Sequence, residues 1–168
     1  KTSVKIEMSD DQKIIYKKAT YYLGKREYSR KELKSKLLNK YPESTEIDFV
    51  LETVTNLDYL NEKRYCRASI SRYLKKGHSP EKIKILLRNE NIQVCPSLIQ
   101  EVSDELGINS NQMIIKLIEK KLRTFDWTTD LSKIQKKKNS VMSFLLSKGY
   151  EYNDIVAEVT KAFEKRNN

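Results

Sequence analysis

The side chains of this sequence best suited to binding chemistry are basic residues grouped around three predicted helix corners. They are Arg26, Arg30 and Lys31 at the first corner, Lys75, Lys76, Lys82, Lys84 and Arg88 at the second, and the run Lys136, Lys137 and Lys138 at the third. Guanidinium and ammonium groups bind phosphate and carboxylate oxygens through charge-assisted hydrogen bonds. These positions are therefore predicted to contact an anionic partner.

The sequence contains no pattern typical of a catalytic or metal site. It has no glycine-rich phosphate loop, no GxSxG and no HExxH. His78 is the single histidine and has no carboxylate cluster near it, while Cys66 and Cys95 do not form a CxxC pair. We therefore expect no enzymatic activity, no bound metal or cofactor and no disulfide scaffold.

The net charge of +10 is distributed unevenly along the chain. Two strongly basic blocks, residues 60–91 and 116–168, are separated by an acidic segment, residues 92–115. Such blocks indicate a nucleic acid or an acidic protein face as the partner, although lysines that only keep helix surfaces solvated would give the same composition. No stretch approaches the roughly 20 apolar residues of a membrane span, no signal peptide is visible, and two unpaired cysteines suit a reducing cytosol.

Apolar residues recur with helical spacing throughout, and glycine is scarce, so the fold class is predicted to be all-α. The clearest boundary is the corner at Gly77–Pro80. Gly77 suits the left-handed position that ends a helix, Ser79 can cap the next helix, and Pro80 fits its first turn. A capping box is predicted at Ser29 and Glu32, where each side chain would bond the other residue's backbone N–H.

The predicted helices recur in three rounds. The double leucines at 37–38, 86–87 and 145–146 occupy similar places, and the last spacing is longer because 126–138 is predicted to be a polar, basic connection. Self-similarity near 50 residues is typical of stacked helical repeats. The prediction is a loose lead-in at 1–9 and three tandem three-helix repeats, 10–59, 60–107 and 108–168, in an elongated, curved array.

Short middle helices after tight turns also occur in helix-turn-helix proteins that bind DNA. This geometry alone is weak support, because many three-helix units never contact DNA. Two further hypotheses therefore stay open: a free-standing tandem helix-turn-helix protein that binds nucleic acid, and a structural adaptor whose lysines only confer solubility.

The order of several motifs resembles the RecX family of bacterial proteins over nearly the whole chain. The matching segments are the stretch from Ser29 to Leu38, Tyr59-Leu60-Asn61-Glu62-Lys63-Arg64-Tyr65, the stretch from Gly77 to Ile92 with its Gly-x-x-Pro start, and Phe144-Leu145-Leu146-Ser147-Lys148-Gly149-Tyr150. The family usually has glycine where this chain has Ser79 and Asn91. Serine caps a helix and asparagine tolerates the left-handed conformation, so both departures are expected to keep the turn geometry.

The resemblance implies a nine-helix, three-repeat modulator of the RecA recombinase without enzymatic activity. RecX-like proteins are thought to lie in the groove of the RecA filament on single-stranded DNA, where they suppress ATP hydrolysis and strand exchange. It further implies a cytoplasmic protein, expected to be a monomer, whose basic corners contact DNA phosphate or acidic RecA surface. These corners are the predicted site.

Overall fold

A computed structural model of the protein describes residues 7–127 and 130–165. Within these residues every regular element is an α-helix, which confirms the all-α prediction. The nine helices are α1 Asp10–Leu23, α2 Arg30–Lys40, α3 Ile47–Asn56, α4 Glu62–Lys75, α5 Pro80–Asn89, α6 Pro96–Glu105, α7 Ser110–Leu122, α8 Leu131–Ser147 and α9 Tyr152–Glu164.

The chain forms two compact units, with the boundary between Ala68 and Ser69 inside α4. In the first unit α1, α2 and α3 pack against one another around a shared apolar core. Its fully buried members include Ala19, Leu33, Leu37, Val50 and Leu51. Burying each large aliphatic side chain stabilises the fold by about 1.5–3 kcal/mol, so this core is what holds the three short helices in place.

The start of α4 is attached to the first unit by a network around Arg64. Its guanidinium donates to Glu27 Oε1 at 2.8 Å and to the side chain and backbone of Asp58 at 2.8 and 2.6 Å. Glu62 Oε1 accepts from the backbone N–H of Arg30 at 2.8 Å. These bonds join the loops before α2 and α4 and so fix the first predicted corner.

In the second unit α7, α8 and α9 surround a core that includes Ile114, Ile118, Val141, Leu145 and Ile155. Helix α5 packs against α6 beside it. The turn from α4 to α5 contacts both α7 and the turn after α8. A Cβ atom at Gly77 would lie 2.9 Å from the Leu117 side chain, and the backbone φ of Gly77 is +78°. Glycine is therefore needed at this turn for space as well as for conformation.

Four local predictions need correction, and residues 1–6 of the predicted lead-in lie outside the described part of the chain. Lys136, Lys137 and Lys138 do not lie in a connection, because α8 already starts at Leu131 and its N-cap Asp130 accepts from two backbone N–H groups. The capping box at α2 is only half formed: Ser29 accepts from the Glu32 N–H, but the Glu32 carboxylate bonds to a guanidinium instead.

The reciprocal capping box occurs at α1, where Ser9 and Gln12 bond each other's backbone, so position 9 belongs to the helix start and not to a loose lead-in. The structure also corrects the register of the leucine pairs. The buried members are Leu37, Leu87 and Leu145, whereas Leu38 and Leu146 are exposed. The equivalent leucines are therefore those that face the core, whether they come first or second in their pair. The division into three repeats and their elongated arrangement stay predictions.

Candidate functional site

The first corner places its arginines in contacts within the chain. Arg26 Nη1 donates to Glu32 Oε2 at 3.1 Å, its Nη2 bonds the other carboxylate oxygen, and its Cζ lies 3.8 Å from the centroid of the Tyr28 ring. The hydrogen bond that the guanidinium donates to Glu32 raises the pKa of Arg26. Arg30 has a weaker contact, from Nη1 to Thr55 Oγ1 at 3.5 Å. Among the described residues, Lys31 is exposed and contacts no carboxylate, so it is the freest cation of this corner.

The second corner carries more uncompensated charge. Lys75, Lys76 and Arg88 are exposed and form no ion pair with any described residue. Lys84 differs, because its Nζ lies 2.6 Å from Glu81 Oε1 and only 27% of its side chain is exposed. Lys82 is half-buried, and its Cβ lies against Gly149. The corner therefore holds three exposed cations without a described ion pair, together with one neutralised pair.

The third basic run is not a single patch. Lys136 is exposed, Lys138 is half-buried, and Lys137 Nζ lies 5.3 Å from the centroid of the Phe125 ring. Successive residues of a helix point about 100° apart, so the three ammonium groups diverge around α8. They cannot all contact one ligand at the same time.

A group of lysines that the sequence did not indicate lies where four helix ends meet in the second unit. Lys148, just after α8, donates from Nζ to the carbonyl oxygen of Lys76 at 3.0 Å. Lys121 Nζ lies 4.2 Å from the Phe144 ring centroid, and Lys148 Nζ lies 5.5 Å from the same centroid. We call Lys76, Lys82, Lys120, Lys121 and Lys148 the lysine cluster.

The charges of the lysine cluster act on one another. The pKa of Lys148 is lowered first by burial and then by the positive charges of Lys76, Lys120 and Lys121. No described carboxylate forms an ion pair with any of the five side chains. Only Lys76 and Lys82 were among the predicted site residues. Lys120, Lys121 and Lys148 could not be found from their spacing in the sequence, because they come from helix ends that are far from Lys76 and Lys82 along the chain.

His78 lies beside this cluster. Its Nδ1 is buried with no hydrogen-bond partner among the described residues, and its ring meets that of Tyr73 nearly edge-on at 5.8 Å. Burial lowers the pKa of His78, and so do the charges of Lys148, Lys82 and Lys76. The imidazole is therefore held neutral near pH 7.

The exposed ring of Tyr21 does not provide an open stacking surface. Tyr21 is 51% exposed, but Lys18 Nζ and Lys25 Nζ lie 4.5 and 4.4 Å from its ring centroid. A nucleobase could stack there only by displacing an ammonium group that the ring already binds. This group of residues is therefore a weaker candidate for a ligand site than the lysine cluster.

The cysteines occupy different environments. Cys66 is buried in the stripe of α4, as its position predicts, whereas Cys95 is exposed at the N-cap of α6. A hydrogen bond with the Ser97 hydroxyl and the Ser97 N–H lower the pKa of the Cys95 thiol. Among residues 7–127 and 130–165, no cluster of histidine, cysteine and acidic side chains could hold a metal ion. No helix in these ranges is long and apolar enough to span a membrane.

Comparison with known proteins identifies the family. Regulatory protein RecX of Haemophilus ducreyi is 31% identical over 150 residues, which cover 86% of this chain and 93% of that protein. The chain belongs to the RecX family. Regulatory protein RecX of Legionella pneumophila is also 31% identical, over 83% of this chain and 87% of its own length. No family model matches the sequence.

The fold agrees with this family membership. The crystal structure of RecX from Lactobacillus salivarius superimposes with a TM-score of 0.60, at 22% identity, over 92% of this chain and 97% of that one. The two departures from the RecX turn pattern behave as expected. Ser79 Oγ accepts from the Lys82 N–H, and Asn91 takes a φ of +62°. Both turns of α5 are thus kept without the family's glycines.

Proposed function

We propose that this RecX-family protein is a cytoplasmic, monomeric regulator that binds RecA and the RecA filament on single-stranded DNA. In this proposal it inhibits ATP hydrolysis and strand exchange by RecA, limits recombination, DNA repair and the DNA-damage response, and has no enzymatic activity of its own. Binding would use the basic residues at the predicted corners and the curved array of repeats. Its relatives are named regulatory proteins, which supports a role in control.

One observation carries this proposal: the second unit holds several cations that no described carboxylate neutralises. Lys75 and Arg88 are exposed in the same unit as the lysine cluster, on a chain with a net charge of +10. Uncompensated positive charge of this density favours association with phosphate backbones and with acidic protein surfaces. A RecA filament on DNA presents phosphate groups, which these cations would bind.

The test is the hydrolysis of ATP by RecA on single-stranded DNA, with the protein added from substoichiometric to equimolar amounts. We expect hydrolysis to fall with dose. The control variant K13Q/K133Q/K161Q lowers the net charge by three, at lysines that each pair with a neighbouring acid on the helix surface. It should inhibit RecA as the parent does. A neutral helical protein should have no effect.

Other results would favour the competing hypotheses. A flat response together with tight, salt-dependent binding to naked DNA would favour a free-standing tandem helix-turn-helix protein. No response in either assay would leave a structural adaptor. Because hydrolysis and DNA binding are measured separately, the three hypotheses give three different patterns.

A further inference from the structure

We propose that the lysine cluster, Lys76, Lys82, Lys120, Lys121 and Lys148, is the site that binds the phosphate backbone of single-stranded DNA. This inference rests on the proposed function and deepens it, because it assigns one surface to the nucleic acid and not to the RecA protein.

The first argument is convergence. The five lysines come from the ends of α4, α7 and α8 and the start of α5, which the fold brings together within the second unit. Two of the turns are joined directly: Ser79 Oγ donates to the Gly149 carbonyl at 2.7 Å, and the Ser79 N–H donates to the Lys148 carbonyl at 2.9 Å. The positions of Lys82 and Lys148 are therefore fixed relative to each other by backbone contacts.

The second argument is electrostatic cost. Like charges held close together repel one another, more strongly at a protein surface of intermediate polarity than in bulk water, and so destabilise the free protein. Lys148 is half-buried, and the three neighbouring lysines that act on it all oppose its protonation. A bound anion would remove this repulsion.

A structural role for Lys148 explains only part of the arrangement. Its ammonium group bonds the carbonyl of Lys76 just after α4, where a cation is favourable because it satisfies an end carbonyl and complements the helix dipole. Lys82, Lys120 and Lys121 bond no carbonyl there, yet they add three further charges. Helix capping therefore accounts for Lys148 but not for its neighbours.

The side-chain types favour phosphate over carboxylate. Paired recognition of carboxylates typically uses arginine, whose planar fork matches the two oxygens, whereas lysine acts as a flexible point charge with three donors. The cluster contains five lysines and no arginine. Several such charges along one surface suit a strand of repeated phosphates, which they can contact without a fixed register.

The experiment measures binding of the full chain, without RecA, to a fluorescein-labelled oligothymidylate by anisotropy over a series of salt concentrations. The variant K82Q/K120Q/K121Q leaves the helix-capping Lys148 in place. Each phosphate contact on a single strand contributes about 0.7 to the slope of log K against log salt, so the slope should fall by about 2. We expect the affinity at low salt to fall at least about tenfold, as loss of three phosphate contacts would cause.

The matched control is again K13Q/K133Q/K161Q, which removes the same net charge from exposed, ion-paired positions. Its slope should stay that of the parent. Circular dichroism spectra and thermal transitions of both variants establish that they are folded. Equal slopes for the two variants would overturn the assignment, because binding would then depend on net charge and not on the cluster.

Two further outcomes separate this inference from the proposed function. If the cluster variant keeps its affinity for oligothymidylate but no longer binds RecA in the absence of DNA, the cluster faces an acidic protein surface and the inference is wrong. If the parent binds oligothymidylate through the cluster but leaves ATP hydrolysis by RecA unchanged, the inference holds and the proposed function fails.

Discussion

The Ser79 hydroxyl donates a hydrogen bond of 2.7 Å to the carbonyl oxygen of Gly149, 70 positions later in the chain. Ser79 Oγ also accepts from the Lys82 N–H at 3.2 Å and so caps α5. Ser79 is almost fully buried. One side chain thus starts a helix and joins two turns of the second unit, which places the lysines on either side of that junction.

Replacing Ser79 should cost more than replacing a residue that only caps. Ser79→Ala removes a cap worth about 1 kcal/mol and leaves the Gly149 carbonyl without that donor, which costs about 1–3 kcal/mol more. Asn109→Ala removes the cap of α7, an exposed cap in the same unit, and should cost only about 1 kcal/mol. Urea unfolding followed by circular dichroism measures both. Equal losses would mean that the bond to Gly149 contributes nothing.

Gly149 should tolerate a side chain less well than Gly107. Both have a positive φ, +90° and +61°, so alanine is strained at either position. A Cβ at Gly149 would also lie 2.5 Å from Lys82 Cβ and 2.7 Å from Ser79 Oγ, whereas nothing lies within 4 Å of a Cβ at Gly107. Gly107→Ala should therefore cost about 1 kcal/mol and Gly149→Ala at least about 2–3 kcal/mol.

The midpoint of thermal unfolding compares the two glycine variants directly. Part of the difference reports the contact and part reports backbone strain, because the φ of +90° at Gly149 lies further from the left-handed value of about +57° than the +61° at Gly107. A Gly149→Ala variant as stable as Gly107→Ala would show that the turns after α4 and α8 are not closely packed in solution.

Reversing charge at Lys82, Lys84 and Arg88 should weaken inhibition of RecA while helicity is kept. The single variants should differ, because Lys84 is already neutralised by Glu81 and Arg88 is exposed without an ion pair among the described residues. We expect the triple reversal to raise the concentration for half-inhibition at least about tenfold, equivalent to about 1.4 kcal/mol, and Arg88→Glu to have a larger effect than Lys84→Glu. Unchanged inhibition by the triple variant would exclude this surface.

The stability of the protein should fall as the pH is lowered from about 7 to about 5, and His78 should be one cause. Its pKa is lowered in the folded protein, so the unfolded chain takes up the proton first. The contribution of neutral His78 to the free energy of unfolding is complete above the ordinary pKa of 6.5. It is lost as the pH falls toward the lower pKa of the folded protein. The groups opposing the charge are Lys148, Lys82 and Lys76, and the Tyr73 ring lies against the imidazole.

The His78→Phe variant tests this assignment, because phenylalanine keeps an aromatic contact with Tyr73 and cannot be protonated. Unfolding midpoints measured across this pH range should fall less steeply for the variant than for the parent. Parallel curves for the two proteins would show that other groups cause the pH dependence.

Local structure followed closely from the sequence. The predicted corner at Gly77–Pro80 lies between α4, which ends at Lys75, and α5, which begins at Pro80. Ser79 caps α5, Gly77 takes a positive φ, and Asn91 replaces glycine in the left-handed conformation. These features depend on residues within a few positions of one another, since caps, turns and helical periodicity are local properties of the chain.

The sequence alone determined the all-α fold, the positions of most helix ends, the basic character of the molecule and the resemblance to the RecX family. Only the tertiary structure decided which cations are free, because Arg26 and Lys84 are paired with carboxylates while Arg88 forms no ion pair among residues 7–127 and 130–165. It alone brought Lys120, Lys121 and Lys148 to Lys76 and Lys82. Charge interactions depend on distance in space, and packing between helix ends sets that distance.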